Sequence, residues 1–328
     1  MPDPAQAFDP GDPSFLENPF PAYALGRKFM PFAFNEAFGV WLAFAHEDVQ
    51  SILKDNATWS SVTPPIEGMP TPPPSMLFSD PPRHTRLRSL VSQAFTPRMV
   101  ELLEPRIKRL AAELLEPIAP LGRADVVEAL AYPLPVIVIA EILGVPPEDR
   151  AQFKRWSDLV VRQLGQGPGP DDDGANAEAT FVEMRGYFTR MADERRTAPR
   201  EDLISALVAA ESEGSKLNSD ELLQMLILLL VAGNETTTNL IGNAIQEFMA
   251  HPDQLQLVLD DRSLIPAAIE EVLRFSSPVQ VTSRRATREA VIRNKTISPG
   301  QQILTWIGSA NRDEAVFERG EAFDVRRS

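Results

Sequence analysis

The 328-residue sequence contains no cysteine. That excludes a disulfide framework, a thiolate metal site and a cysteine nucleophile within these residues. Histidine is nearly missing too. Only His46, His84 and His251 occur, too widely spaced for a zinc-site pattern. Basic residues are in deficit, 32 against 46 acidic, which gives a formal net charge of −14. An acidic surface argues against nucleic acid or an anionic membrane as the main partner. Long hydrophobic runs are also lacking. The longest, 226–232, is followed closely by Asn234 and Glu235 and is too short for a bilayer. The opening stretch, MPDPAQAFDPGDPSF, has no basic end followed by an apolar run, so no targeting signal is read there. These absences predict a soluble, cytoplasmic protein with no nucleic-acid and no membrane partner.

What is present is a hydrophobic content of 43%, enough for one large core, and 30 prolines that cut the chain into pieces. Most pieces read as helices, and no internal repeat is visible. Residues 1–25 read as an extended arm. Residues 29–45 are aromatic-rich and turn at 35–39, as a hairpin would. His46 opens a short helix. Residues 62–79 form a proline-rich loop too long for a passive connector. Helices are predicted from Asp80-Pro81-Pro82 and from Thr96-Pro97, the latter with a kink or break at Pro105. An apolar helix over 135–143 ends at Gly144. Residues 165–178 read as a flexible acidic loop, and 190–199 as a charged, exposed stretch. Asn218 and Glu221 form a capping-box pattern. The helix they open runs to about Ala250, roughly 45 Å at 1.5 Å per residue. Being apolar nearly all round over 222–232, it should be central and buried. A further helix over about 265–275 precedes short strands with a turn at Ser298-Pro299-Gly300. The class is mainly α with small β-sheets.

Three clusters carry chemistry. Within the long helix stands Ala232-Gly233-Asn234-Glu235-Thr236-Thr237. A buried carboxylate costs several kcal/mol unless paired or protonated. Gly233 allows a flat ligand or dioxygen to approach the backbone. Thr236 can bond back to an upstream carbonyl and open the helix locally. On chemistry alone this is either a helix bent over a ligand or one reaching solvent at Asn234. Next, Glu271 and Arg274 share one helix face and can pair. Last, in Asp80-Pro81-Pro82-Arg83-His84-Thr85-Arg86-Leu87-Arg88, His84 and Arg88 present two donors on one face. Such a pair suits a carboxylate, although a solvated basic face has the same spelling.

Taken in order, these segments resemble the cytochrome P-450 family, bacterial soluble type. A-G-N-E-T-T resembles its oxygen-activation motif, Glu271-Val272-Leu273-Arg274 its E-x-x-R, and 80–88 its D-P-P-x-H-x-x-x-R. Arg284-Arg285-Ala286-Thr287 resembles R-x-A-T, and Ala310-Asn311-Arg312-Asp313 with Phe317 resembles A-N-R-D-x-x-x-F. The resemblance implies a cytochrome P-450 fold in one domain over 1–328, with a small β subdomain from about 29–45 and 279–308. It implies haem b, dioxygen, a small lipophilic substrate, and electrons from a ferredoxin and its reductase. Glu235 and Thr236 would deliver protons. Ala232 and Gly233 would lie against the cofactor. His84, Arg88 and Arg284 (with Arg285 possible) would hold its propionates. Glu271 and Arg274 would be structural, joined by Arg326 or Arg327. Leu229 and Ala232 would line a substrate space with 62–79, 165–178 and 279–282.

The family's axial cysteine loop and final helix are not matched anywhere. The fold is therefore expected to be incomplete at the C-terminus, and the chain inactive as it stands, with no metal ligand of its own. The alternative is a non-catalytic, truncated binding or scaffold protein of the same ancestry.

Overall fold

The computed structural model describes residues 8–62, 75–165, 174–212 and 215–327. Most of 62–79, and the centre of 165–178, lie outside the described residues. The chain divides into two compact units, residues 1–71 with 243–328, and residues 72–242. The division falls inside one long helix.

The first unit opens with helices rather than an extended arm: α1 (Pro13–Glu17) and α2 (Phe20–Phe29). The proline-rich spelling misled because proline here starts helices. Pro13 and Pro21 both stand in first turns, where the missing N–H costs nothing. Asp12 caps α1 by accepting from the Ser14 amide at 2.8 Å. Strands β1 (Phe32–Asn35) and β2 (Val40–Ala43) then pair antiparallel, Phe32 opposite Ala43, with Gly39 at φ +64° in the turn. Helix α3 (His46–Lys54) and the two-residue β3 (Trp59–Ser60) follow.

The second unit is helical. It holds α4 (Arg83–Ala94), α5 (Pro97–Leu115), α6 (Pro133–Leu143), α7 (Arg150–Gly165), α8 (Gly174–Thr197) and α9 (Leu203–Ala209). Pro105 sits inside α5 without ending it, contrary to a break there. Gly144 closes α6 in the left-handed region at φ +78°. A short hairpin, β4 (Glu211–Ser212) with β5 (Ser215–Lys216), leads into α10 (Ser219–Ala250). The stretch 190–199 is not simply exposed. Arg195 is buried, pairing with Asp202 at 2.7 Å and reaching the Gly144 carbonyl at 3.3 Å. One apolar cluster joins α4, α6, α7, α8, α9 and α10, with Trp156, Phe188 and Leu226 almost fully enclosed.

The C-terminal part of the first unit has α11 (Pro252–Asp260), α12 (Ile265–Phe275), β6 (Thr282–Ala286), β7 (Ala290–Ile292), β8 (Lys295–Ile297), β9 (Gln302–Thr305) and α13 (Ile307–Ala310). Five strands form one sheet in the order β1-β2-β9-β6-β3, in which β2 and β9 run parallel. Strands β7 and β8 form a separate hairpin. From Asn311 to Arg327 the described chain has no helix or strand.

Helix α10 is long and apolar enough to cross a membrane by length and composition. Its buried polar side chains are nonetheless met by protein: Asn234 bonds Ser157 and Glu247 bonds Ser276. Leu222–Leu230 is buried or half-buried, but Ala232 and Thr237 are exposed, so the centre of the helix is less enclosed than its apolar run predicts.

Candidate functional site

In the second unit, α10 begins with the capping box written in its sequence. The Asn218 side chain accepts from the Glu221 amide at 2.8 Å, and Glu221 accepts from the Asn218 amide at 3.2 Å. The buried Glu221 carboxylate also pairs with Arg86 and lies 3.7 Å from Arg83. Two of the four basic residues of 83–88 are thereby spent on fastening α4 to α10. Leu87 and Val91 of α4 and Leu226 and Leu230 of α10 share one apolar cluster.

The other two basic residues behave differently. His84 is half-buried and Arg88 is exposed. Among the described residues, neither side chain has a hydrogen-bond or ion-pair partner in the protein, as suits donors directed at something other than this chain.

Further along α10, Gly233 is half-buried. A Cβ added there would come no nearer to protein than 3.6 Å, at Ile139 Cδ1, so packing alone does not demand a glycine. Glu235 and Thr236 are half-buried, which spares Glu235 the full cost of carboxylate burial. Thr236 Oγ1 donates to the Ala232 carbonyl at 2.6 Å, the back-bond its position allows. That bond does not open the helix: α10 is continuous through 232–238. Asn234 is the most enclosed member of the motif, 1% exposed. Its Nδ2 donates to Ser157 Oγ of α7 at 2.6 Å, and its Oδ1 accepts from Thr238 Oγ1 at 3.2 Å. The helix therefore does not reach solvent at Asn234. Sequence reading missed this role, although an amide inside an apolar helix was the available signal.

In the first unit, Arg284 on β6 is half-buried and donates to the Ser283 carbonyl at 2.7 Å. Arg285 donates to the Gly300 carbonyl. Glu271 and Arg274 form a buried bidentate pair, Nε to Oε2 at 2.7 Å and Nη2 to Oε1 at 2.8 Å. Between Arg326 and Arg327, the geometry selects Arg327, whose Nε lies 3.1 Å from Glu271 Oε2, while Arg326 is exposed. Arg274 also reaches the carbonyls of Asn311, Gly320 and Ala322, and Arg327 those of Glu318, Arg319 and Ala322. Arg312 is clamped between the rings of Phe20 and Phe275, 3.3 and 3.6 Å from their centroids. Burial pushes its guanidinium down to about 10, still charged at neutral pH. No local pattern announces that sandwich, because its rings come from distant segments.

A haem group would require anion-binding donors at its edge and an axial thiolate on its iron. His84 and Arg88, unpartnered within the described chain, fit the first requirement. No residue of the 328 fits the second, since cysteine is absent. The residues present suit the rim of the group and not its metal.

Residues 175–327 match the family model described as "Cytochrome P450". The chain is 41% identical over 324 residues to cytochrome P450 monooxygenase PikC of Streptomyces venezuelae, covering 95% of this chain and 76% of that protein. It is 39% identical over 325 residues to vitamin D(3) 25-hydroxylase of Pseudonocardia autotrophica, covering 96% and 78%. Among solved structures, CYP109E1 from Bacillus megaterium in complex with testosterone superposes with a TM-score of 0.85 at 39% identity, over 95% of this chain and 81% of that one.

Proposed function

The chain belongs to the cytochrome P450 monooxygenase family, and from that premise we propose a function for its residues. They are read as the larger part of an enzyme that inserts one oxygen atom from dioxygen into a small lipophilic organic substrate, with electrons from a ferredoxin and its reductase. The observation that carries this reading is the division of labour on α4. Arg86 and Arg83 are committed to Glu221, while His84 and Arg88 have no partner among the described residues. Donors left over in this way suit the propionates of haem b, each charge-assisted bond contributing about 1.5–3 kcal/mol. Arg284 is assigned to the same anionic edge, and Ala232 and Gly233 to the flat face. Glu235 and Thr236 are assigned to proton delivery, with the carboxyl half-open to water and the hydroxyl already hydrogen-bonded. Haem in this family supplies oxygen activation. Because no axial thiolate can come from these residues, no step is assigned to the iron here.

The lipophilic substrate class is supported by what the relatives' names state: one hydroxylates vitamin D(3), and another binds testosterone. The apolar 222–232 face and Leu229 are consistent with it. Localisation in the bacterial cytoplasm is part of the same proposal.

The 328-residue chain is read as catalytically silent by itself. Reconstituted with haem, it is expected to show no thiolate-type Soret band in the reduced, CO-bound state; the appearance of that band would overturn this reading. The alternative reading is a non-catalytic binding or scaffold protein of the same ancestry. Sequencing the coding DNA beyond codon 328 separates the two. A downstream frame encoding a cysteine-bearing loop supports the enzyme; a genuine stop with the 328-residue product present in cells supports the scaffold.

A further inference from the structure

In the first unit, the edge of the sheet and the β7–β8 hairpin line a cavity of about 500 Å³. That is within the range of small-molecule sites, about 300–1,000 Å³. None of the residues assigned to haem or to proton delivery lines it. One wall is aromatic. Strand β1 is the outermost of the five, and its Phe34 ring meets Trp41 of β2 at 5.1 Å between centroids. Phe29, at the end of α2, extends that wall although it is 60% exposed. The other wall is cationic. Strands β7 and β8 are joined by Arg293 and Asn294, both at positive φ, +47° and +61°. Asparagine tolerates that region, whereas arginine seldom adopts it. Arg293 is anchored there by the buried Asp48, which accepts from its Nε at 2.6 Å. The hairpin tip is thereby fixed, and with it Lys295, which pairs opposite Ile292. Lys295 is exposed, and its Nζ donates to the Phe32 carbonyl of β1 at 2.9 Å. Among the described residues that neutral carbonyl is its sole partner. Its charge is therefore uncompensated, and two of its three donors remain for another group.

We propose that this cavity binds a small aromatic carboxylate, with its ring against Phe29, Phe34 and Trp41 and its carboxylate on Lys295 beside Arg293. Aromatic walls accept many apolar bodies, through edge and offset ring contacts. The spare ammonium is what selects an anionic end, by a charge-assisted hydrogen bond. Glu36, exposed where β1 turns into β2, also lines the cavity and turns the anionic end away from itself toward the hairpin. A lysine on a sheet edge has a second use, since it discourages pairing with another chain. The two uses differ in one respect: only a binding role makes affinity depend on the charge of the ligand.

Calorimetric titration of the 328-residue chain with 2-naphthylacetate, and with the neutral 2-naphthaleneethanol, tests this without haem or turnover. Amide NMR shifts locate the ligand. The carboxylate is expected to saturate one site, to bind about tenfold more tightly than the alcohol, and to shift amides of 29–36 and 290–297. Lys295→Met is expected to weaken the carboxylate about tenfold and leave the alcohol unchanged, which erases the preference. Lys295→Arg, which keeps the charge, is expected to restore it. Absence of saturable binding overturns the proposal, and so does an equal affinity of parent and Lys295→Met for the carboxylate, which leaves Lys295 as an edge guard only. A carboxylate that shifts 83–88 instead, and is lost in His84→Ala with Arg88→Ala, sits on the α4 donors and overturns it as well. If Lys295→Met does not fold, the parent's preference for the anion, its shifts and the Lys295→Arg variant decide the matter.

Discussion

The Glu271–Arg274–Arg327 cluster and the His84–Arg88–Glu235–Thr236 set have similar ingredients and opposite degrees of saturation. In the first, every polar group is used. Glu271 accepts from two guanidiniums and from the Asp324 amide at 2.8 Å, and the two arginines end on backbone carbonyls. In the second, His84 and Arg88 bond nothing in the described chain, and Glu235 is half open. Motifs of comparable length in the sequence thus separate by the completeness of their hydrogen bonding. The first set is finished within the chain, and the second keeps hydrogen-bonding capacity in reserve, which supports its proposed role toward an outside group. The 83–88 helix turn shows both behaviours within six residues.

The contrast breaks most visibly at the saturated end. Arg274→Ala would leave Glu271 with Arg327 and the Asp324 amide, and would take the arginine donor from the Asn311 and Gly320 carbonyls, a loss of about 3–5 kcal/mol. Urea denaturation should show the first unit unfolding far below the parent midpoint. A midpoint within about 0.5 kcal/mol of parent would mean the cluster is not structural.

An intermediate case is Glu141 on α6, which accepts from Arg106 at 2.7 Å and from Arg150 at 3.0 Å. The Arg106 hydrogen bond is the main cause holding its carboxyl below the ordinary 4.5. A depressed carboxylate contributes stability that is present above its unfolded value and lost as pH falls through its folded one. Acidification below about 4.5 should therefore weaken the second unit, and Glu141→Gln should flatten that dependence. Asp48 in the first unit moves the other way. Burial raises its carboxyl despite Arg293, so its cost fades as pH falls. Denaturation midpoints on both sides of 4.5, for parent and E141Q, check the sign. An unchanged slope in E141Q would remove Glu141 from this intermediate position.

The smallest effect belongs to the unsaturated set. His84→Ala with Arg88→Ala should shift the denaturation midpoint by no more than about 0.5 kcal/mol. A larger loss would show that these donors serve the chain after all, and would erase the distinction.

Much of this was legible in the sequence because it is local. The capping box of Asn218 and Glu221, the Glu271–Arg274 pair, the Thr236 back-bond and the Gly144 stop all depend on residues five or fewer apart, where helix geometry alone decides who meets. Legibility failed where partners are distant or a pattern is too short. Nothing near Asn234 names Ser157, nothing near Arg312 names Phe20, and β3 has only two residues from which to read a period of two. The charged stretch at 190–199 misled for the same reason: the Asp202 that allows Arg195 to be buried lies beyond it, past the end of the helix. The N-terminal arm misled through composition, since proline marks helix starts as well as helix breaks.

In the segment from Asn311 to Arg327, arginine side chains reach the carbonyls of Asn311, Gly320, Ala322 and Glu318, alongside side-chain contacts such as Arg27 with Glu321. A peptide carbonyl is the same whatever residue bears it. At those carbonyls the path is indifferent to lettering, whereas Arg312, Gly320, Phe323 and Val325 are buried and specific. Glu314, Ala315 and Val316, all exposed, are free to drift over generations, whereas lysine at 274 or 327 would offer one compact ammonium where a planar fork now serves several oxygens at once. Heritable constraint on this part of the molecule thus concentrates in its arginines and its buried Gly320, Phe323 and Val325, and the exposed positions between them can be rewritten.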